Sequence, residues 1–502
     1  MPAGGITIGL DGVASAARRP AMKALSAVDG AFLHLETPET PMHVASLHLF
    51  EPVPGRRFVT LLKRQLARRM HLVPVFQRKL AWMPLGLANP VWVHEENVDL
   101  DHHVQHMTLP APGTHAQLEA LAARLHMELL DRSRPLWRLV VIDGLASGEV
   151  ALYAQFHHAV LDGMSGVLLA NALYDPTPRP RSMRRPVEEP AEHPSLAELA
   201  VETFRHDAGQ LLDLVRDSPD VLRTLAGLAL RSGTDAKSNA PRIGFAPRTA
   251  LNVPITRERG FAAASIPLAA LKRIAAAHDA KLNDVVRALC SGVLRRWLAA
   301  HGGIPRESLI AAVPVSVRAP GNQEFTTEAT MVEMPLATDI ADPVARLLAI
   351  RDGSRAVKAM ARRTKGLMRT DFPTLGVPWL LRAGAWLYGR FAVSVPPIAN
   401  LVVSNVPGPE TPLYMAGIRM RTYWPISIVE HGVGLNLTVQ SYAGAMHFGF
   451  VTARSVVPDA RELTRALAEA LKELADASRT RRAAPVPAAA RRVSSRHVAH
   501  AA

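Results

Sequence analysis

The chain has 502 residues, 48% hydrophobic and 20% charged, which excludes wholesale disorder and leaves enough apolar mass for more than one core. Its net charge is +14. Six arginines beyond Asp476 and the basic excess of residues 1–24 account for eight of those charges, and no nucleic-acid recognition element gathers the rest, so nucleic acid is not an expected partner. A lone cysteine, Cys290, rules out an intrachain disulfide and fits a reducing, cytoplasmic compartment. No secretory signal or membrane-spanning run is present, so the protein is expected to be soluble or to lie on a membrane without crossing it.

Residues 1–24 are rich in Gly and Ala and read as an extension. Order begins at Leu25-Ser26-Ala27-Val28-Asp29. The alternation from Pro41-Met42-His43-Val44 into Leu47 and Leu49 predicts a strand. Phe58, Leu61, Leu62, Leu66 and Met70 recur at helical spacing among Arg56, Arg57, Lys63, Arg64, Arg68 and Arg69. That pattern suits either an ordinary core stripe with a solvated face or a basic helix on anionic lipid. Residues 90–93 and 98–100 are short strand candidates, and Leu118, Leu121, Leu125 and Leu129 mark a helix.

Two strands follow, over 139–142 and 150–156, with a turn at Asp143-Gly144. The second runs into Phe156-His157-His158-Ala159-Val160-Leu161-Asp162-Gly163, after which residues 167–174 read as helix. A Pro/Arg-rich segment then opens a connector, 176–245, holding a capping-box pattern at Ser195…Glu198. The second half restarts with a strand over 259–266 and helices through Leu271 and from Asn283-Asp284 to Trp297. Strands over 310–317 and 401–404, a turn at 405–409, a hairpin over 433–450 and a helix over 461–475 complete it, ahead of an arginine-rich tail, 478–502. Strands and helices alternate in both halves, which predicts two α/β lobes, 25–175 and 246–477.

The cluster at 157–163 admits several readings. A metal site on His157, His158 and Asp162 is disfavoured because adjacent strand residues point apart, and no CxxC or HExxH spacing supports one. Gly163-Met164-Ser165-Gly166-Val167 fails the serine-hydrolase pattern at its last position. Packing of a His pair on a strand edge stays open. So does acid–base catalysis, since an imidazole takes a proton from an alcohol near neutral pH while Asp162 and Gly163 shape the turn.

His157-His158-Ala159-Val160-Leu161-Asp162-Gly163 resembles the HHxxxDG motif of the bacterial wax ester synthase/acyl-CoA:diacylglycerol acyltransferase family, within the coenzyme A-dependent acyltransferases. Leu25-Ser26…Asp29…Phe32-Leu33, Pro135-Leu136-Trp137, Asn283-Asp284-Val285-Val286, Pro314-Val315-Ser316-Val317-Arg318, Ser404-Asn405-Val406-Pro407-Gly408-Pro409 and Pro412-Leu413-Tyr414 match family elements in the same order. Glu324 and Glu328 and the two termini depart from the pattern.

The resemblance implies two chloramphenicol-acetyltransferase-like lobes joined by a helical crossover, with an active-site channel between them. It implies His158 as general base, His157 as its neighbour, Asp162 as structural support paired with Arg318, and Gly163 as the turn. Asn283 is expected to donate to substrate or to a developing oxyanion. Asp284 is expected to contact substrate or cap its helix. Pro135, Leu136 and Trp137 are expected to line an acyl channel or to pack under the site. Acyl-CoA would be a substrate and no cofactor or metal is implied. The acceptor would be diacylglycerol or a long-chain alcohol, with acylation of another alcohol, such as a secondary metabolite, and a non-catalytic lipid-surface protein as alternatives. Peripheral attachment to anionic membrane or to lipid inclusions, through Arg56–Arg69 and the arginine tail, is a further expectation.

Overall fold

The structure, a computed structural model, describes residues 22–181, 245–316, 329–363, 377–391 and 396–483, save 53, 54, 56, 87 and 162, together with 394 and a few positions between 195 and 209. Asp162, Arg318, Glu324, Glu328 and most of the expected connector therefore lie outside the described residues. Within the connector, Ser195 and Glu198 do form the reciprocal cap: the Ser195 N–H donates to Glu198 Oε2 (2.7 Å) and the Glu198 N–H to Ser195 Oγ (3.3 Å).

The first half contains β1 (Met22–Ala24), α1 (Ala27–Leu35), β2 (His43–Phe50), α2 (Phe58–Arg69), β3 (Arg78–Ala81), β4 (Val91–His94), α3 (Leu100–His103), β5 (Val104–Thr108), α4 (His115–Leu125), β6 (Trp137–Asp143), β7 (Val150–His157) and α5 (Gly163–Leu173). The second contains β8 (Arg259–Pro267), α6 (Leu268–Ala277), α7 (Leu282–Ala300), β9 (Ile310–Ser316), β10 (Ala329–Pro335), α8 (Pro343–Arg363), α9 (Val377–Phe391) and β11 (Leu401–Val406). It ends with β12 (Tyr414–Met415), β13 (Ile418–Arg419), β14 (Trp424–Ile426), β15 (Leu435–Tyr442), β16 (Ala445–Ala453) and α10 (Arg461–Ala483).

Each lobe is built on one mixed sheet. The first has the order β14-β2-β7-β6-β5, the second β10-β9-β11-β15-β16-β8. Period-2 alternation explains how the first sheet serves two cores. Val140 and Ile142 of β6 and Tyr153 of β7 enter a core shared with the second lobe. Leu139, Val141, Leu152 and Phe156 point to the other face, where α2 and α5 cover them.

One strand crosses between the lobes. β14 comes from the second half yet pairs antiparallel with β2 of the first, with Trp424 opposite Leu47 and Ile426 opposite Ala45. Gly449 of β16 makes room for it. A Cβ there would lie 1.8 Å from the Pro425 carbonyl oxygen, so no larger residue fits.

Two expectations are corrected, and of the two readings of the α2 stripe the core one holds. Residues 98–100 do not form a strand: Asp99 Oδ1 accepts from the N–H groups of Asp101 (3.0 Å) and His102 (3.2 Å), which caps and starts α3 instead. The closing helix continues to Ala483, through the first part of the expected tail. The apolar stripe of α2 is core: Leu62 and Leu66 are fully buried, and Arg69 is buried in an ion pair with Asp175 (2.7 Å). That helix has no apolar face to offer a membrane.

Candidate active site

β7 delivers the two histidines. Its ladder with β2 runs to the pair His43–His157, and the His158 N–H adds one further bond to the Met42 carbonyl (2.9 Å). The chain then turns, the Val160 N–H reaching back to the His157 carbonyl (3.0 Å). Ala159, Val160 and Leu161 are all buried, so the turn is nailed into the core on its far side. α5 starts at Gly163 directly afterwards. The two imidazoles separate as adjacent strand residues must: His157 is fully buried, whereas His158 is partly exposed and stacks on the Phe32 ring at 4.0 Å and 19°.

His157 belongs to a buried polar network that the sequence reading missed. Its Nδ1 accepts from the Ala159 N–H (3.1 Å). In the neutral ring the proton therefore sits on Nε2, which lies 3.3 Å from Glu36 Oε2. The Glu36 side chain is buried too. Its Oε2 accepts from the Met42 N–H (3.0 Å) and its Oε1 from Arg132 Nη2 (2.7 Å) and Nε (3.2 Å), while Arg132 Nη2 also reaches the Leu33 carbonyl (2.8 Å). Burial works against the Glu36 charge, but His157 and then Arg132 outweigh it and hold the carboxyl at about 2. Burial lowers the His157 pKa, against the opposing pull of Glu36.

The network ties the end of α1, the loop to β2, the segment before β6 and the tip of β7 to one another. His158 is carried on that frame. Neither Glu36 nor Arg132 stands in a motif with His157, so the only signal for them in the sequence is two charges beside apolar runs.

Pro135, Leu136 and Trp137 pack under the site. All three are buried, and the Leu136 carbonyl accepts the His157 N–H (3.0 Å). Trp137 donates from Nε1 to the Phe76 carbonyl (3.1 Å) and stacks on His103 at 4.2 Å. No part of this element faces an opening.

The second lobe gathers the other motifs. Asn283, exposed in the first turn of α7, accepts at Oδ1 from Asn405 Nδ2 of β11 (2.6 Å), which leaves its own Nδ2 as a donor. Asp284 is buried and fully used: Oδ2 accepts from the Lys281 N–H (2.9 Å), Oδ1 from Arg287 Nη2 and Ser354 Oγ (both 2.8 Å). Its buried carboxylate caps α7 and ties it to α8. Gly408 passes so close to β15 that a Cβ would lie 2.1 Å from the Ser441 carbonyl oxygen.

The structure thus joins His157 with Pro135-Leu136-Trp137, and Asn283 with Asn405, on separate lobes. An open recess is lined by Leu35, Thr37, Thr40 and Met42 from one side and by Gly384, Ala385 and Tyr388 of α9 from the other; the Met42 carbonyl takes the His158 N–H.

Comparison with known proteins places this geometry. The family model described as the wax ester synthase/diacylglycerol acyltransferase catalytic domain matches residues 25–286, and that of the family's C-terminal domain matches 327–475. The chain belongs to this family. Among its relatives, a Mycobacterium tuberculosis protein assigned as a diacylglycerol O-acyltransferase is 34% identical over 452 residues, covering 90% of this chain and 99% of the relative.

The solved wax ester synthase/diacylglycerol acyltransferase from Marinobacter aquaeolei is 28% identical with a TM-score of 0.64, over 90% of this chain and 99% of that one. The first condensation domain of the calcium-dependent antibiotic synthetase shares the fold at 16% identity, with a TM-score of 0.56 over 91% of this chain and 96% of that one. The two-lobed α/β architecture of the family member is the one expected from the sequence.

Proposed function

We propose that the protein is an O-acyltransferase that moves a long-chain acyl group from acyl-CoA to diacylglycerol or to a long-chain alcohol. The observation that carries the reading is the state of the two histidines. The imidazole of one is buried between the Ala159 N–H and the Glu36 carboxylate; that of the other, on the same strand end, is partly exposed.

In this mechanism His158 accepts the proton of the acceptor hydroxyl. The oxygen attacks the thioester carbonyl, a C–O bond forms, the C–S bond breaks, and the imidazolium returns the proton to the leaving coenzyme A thiolate. No covalent enzyme intermediate arises. A general base supplies roughly 10²–10⁴ in rate, so alignment of the two substrates must supply much of the rest. Asn283 Nδ2 is the donor available to the developing oxyanion. Pro135, Leu136, Trp137 and Asp284 serve as scaffold in this reading.

Incubating the full chain with radiolabelled palmitoyl-CoA and either dioleoylglycerol or hexadecanol, then separating the lipids, tests it. Label in triacylglycerol or wax ester is the expected result. Label only in unreacted acyl-CoA would overturn the reading.

A further inference from the structure

Most apolar helix faces among the described residues are buried, and α9 carries the largest group of exposed apolar side chains. Five of the thirteen exposed large apolar side chains among the described residues lie on this 15-residue helix: Trp379 (51% exposed), Leu380 (73%), Trp386 (64%), Leu387 (51%) and Tyr388 (41%). At 100° per residue, Trp379, Leu380, Trp386 and Leu387 share one face.

The opposite side seats the helix. Pro378 is buried, α9 packs against α1, and Gly389 sits so tightly on the His431 ring that a Cβ would be 3.0 Å from it. The outward face is therefore fixed in place. It extends to the turn before β4, where the Trp379 indole N–H donates to the Leu85 carbonyl (3.2 Å). Leu85 itself is 82% exposed and is held at φ 59°, a left-handed conformation unusual for a bulky residue.

Charge sorts the candidate occupants. The helix carries Arg382 and Arg390, both exposed, and no acid. Arg390 lies over the Trp386 ring at 5.4 Å, so the cation stays among the aromatic side chains. Aromatic rings and leucines accompanied by arginines, without carboxylates, suit a helix that meets an anionic phospholipid interface. No helix of the described residues is long and apolar enough to cross a membrane, so contact of this kind is confined to the surface. The same helix supplies one wall of the recess that Leu35 and Met42 line from the other side.

We infer that α9, with the Leu85 turn, docks on an anionic phospholipid surface, its apolar face sunk into the headgroup boundary and its arginines on the phosphates. This rests on the acyl-transfer reading for its purpose: docking would set the recess at the interface where an insoluble acceptor is held.

The test is sedimentation of the full chain with vesicles of phosphatidylcholine plus phosphatidylglycerol, and with phosphatidylcholine alone, beside turnover of hexanoyl-CoA and hexanol in free solution. The variant W379S/L380S/W386S/L387S should partition about 100-fold less, while turnover of the dissolved pair stays near that of the parent. R382Q/R390Q should lose the preference for phosphatidylglycerol, by about fivefold per neutralised arginine.

Undiminished pelleting of the serine variant would overturn the proposal. So would a parent dimer, seen by gel filtration, that the serine variant splits while neither protein pellets, since the face would then join two copies. Failure of the parent to esterify the dissolved pair would strike the acyl-transfer reading alone, because the pelleting measurement does not depend on it.

Discussion

Each lobe presents one polar side chain above an acid–arginine pair whose carboxylate is buried, but the two pairs are assembled differently. In the second lobe Asp284 and Arg287 are three residues apart on α7 and meet as soon as the helix forms. In the first, Glu36 and Arg132 are far apart in sequence and meet His157 only once β2, β6 and β7 have come together. The presented side chains, Asn283 and His158, thus stand on local and on non-local foundations. A local pair is insured by its helix, whereas a non-local one ties its residue's position to the integrity of the whole sheet.

The largest effect should come from the presented base. His158→Ala removes an imidazole that is partly exposed and stacked on one ring, so unfolding in urea should shift little. Turnover of palmitoyl-CoA with hexadecanol should fall about 10³-fold or more. An activity within about tenfold of the parent would remove His158 from the base role, since general-base catalysis alone supplies more than that.

Next come the two foundations. Glu36→Gln leaves Arg132 without its carboxylate and gives Arg132 and His157 only a neutral amide, and should cost about 2–4 kcal/mol of stability, as for other broken buried pairs. Because His158 depends on that frame, kcat should fall as well. Asp284→Asn should cost a similar amount through the lost α7 cap and the stranded Arg287, but kcat per folded molecule should hold. Urea melts and kcat for both variants check the contrast. It breaks if D284N loses kcat as E36Q does.

Acid should separate the lobes in the same sense. Burial holds His43 at about 4 and His48 at about 3, and lowers His157 and, further, His126, all in the first lobe. In the second, His447 is held at about 4. These rings are folded in their neutral form. The stability they contribute is complete above the unfolded pKa, near 6.5, and drains away as pH falls from there toward the folded values. Glu36, depressed to about 2, adds a loss between about 4.5 and 2. Amide exchange between pH 7 and 4 should rise first in β2 and β7 and later in β15 and β16. The reverse order would refute the assignment.

Much of this was legible in the sequence because it is periodic or local. The strands β2, β6, β7, β15 and β16 alternate cleanly, and α2, α4 and α7 carry apolar residues at helical spacing. Asp284 announced itself as a helix-start acid.

What was not legible depends on partners far along the chain. Glu36 carries no pattern that points to His157, and β14 is three residues whose pairing with β2 could not be read from either segment. The lone strand expected at 98–100 failed because Asp99 has a local cap to make, and a cap outcompetes weak strand propensity in so short a run. α9 escaped notice for the opposite reason: its apolar residues are not on the face that packs, so its periodicity says helix without saying what the face meets.

The smallest effect is expected where the second lobe's presented residue meets its own neighbour. Asn405 Nδ2 donates to Asn283 Oδ1, and an amide whose oxygen is held has its nitrogen aimed. Removing the aimed group by Asn283→Ala should lower kcat about 10²-fold if Nδ2 meets the oxyanion. Removing only the aiming group by Asn405→Ala should cost severalfold, since one hydrogen bond of this kind contributes about 1 kcal/mol. Because the bond orients rather than binds, the loss should fall on kcat and leave KM for acyl-CoA unmoved. Equal losses in the two variants, or a loss confined to KM, would make the Asn pair a clasp between α7 and β11 and leave the oxyanion to another donor.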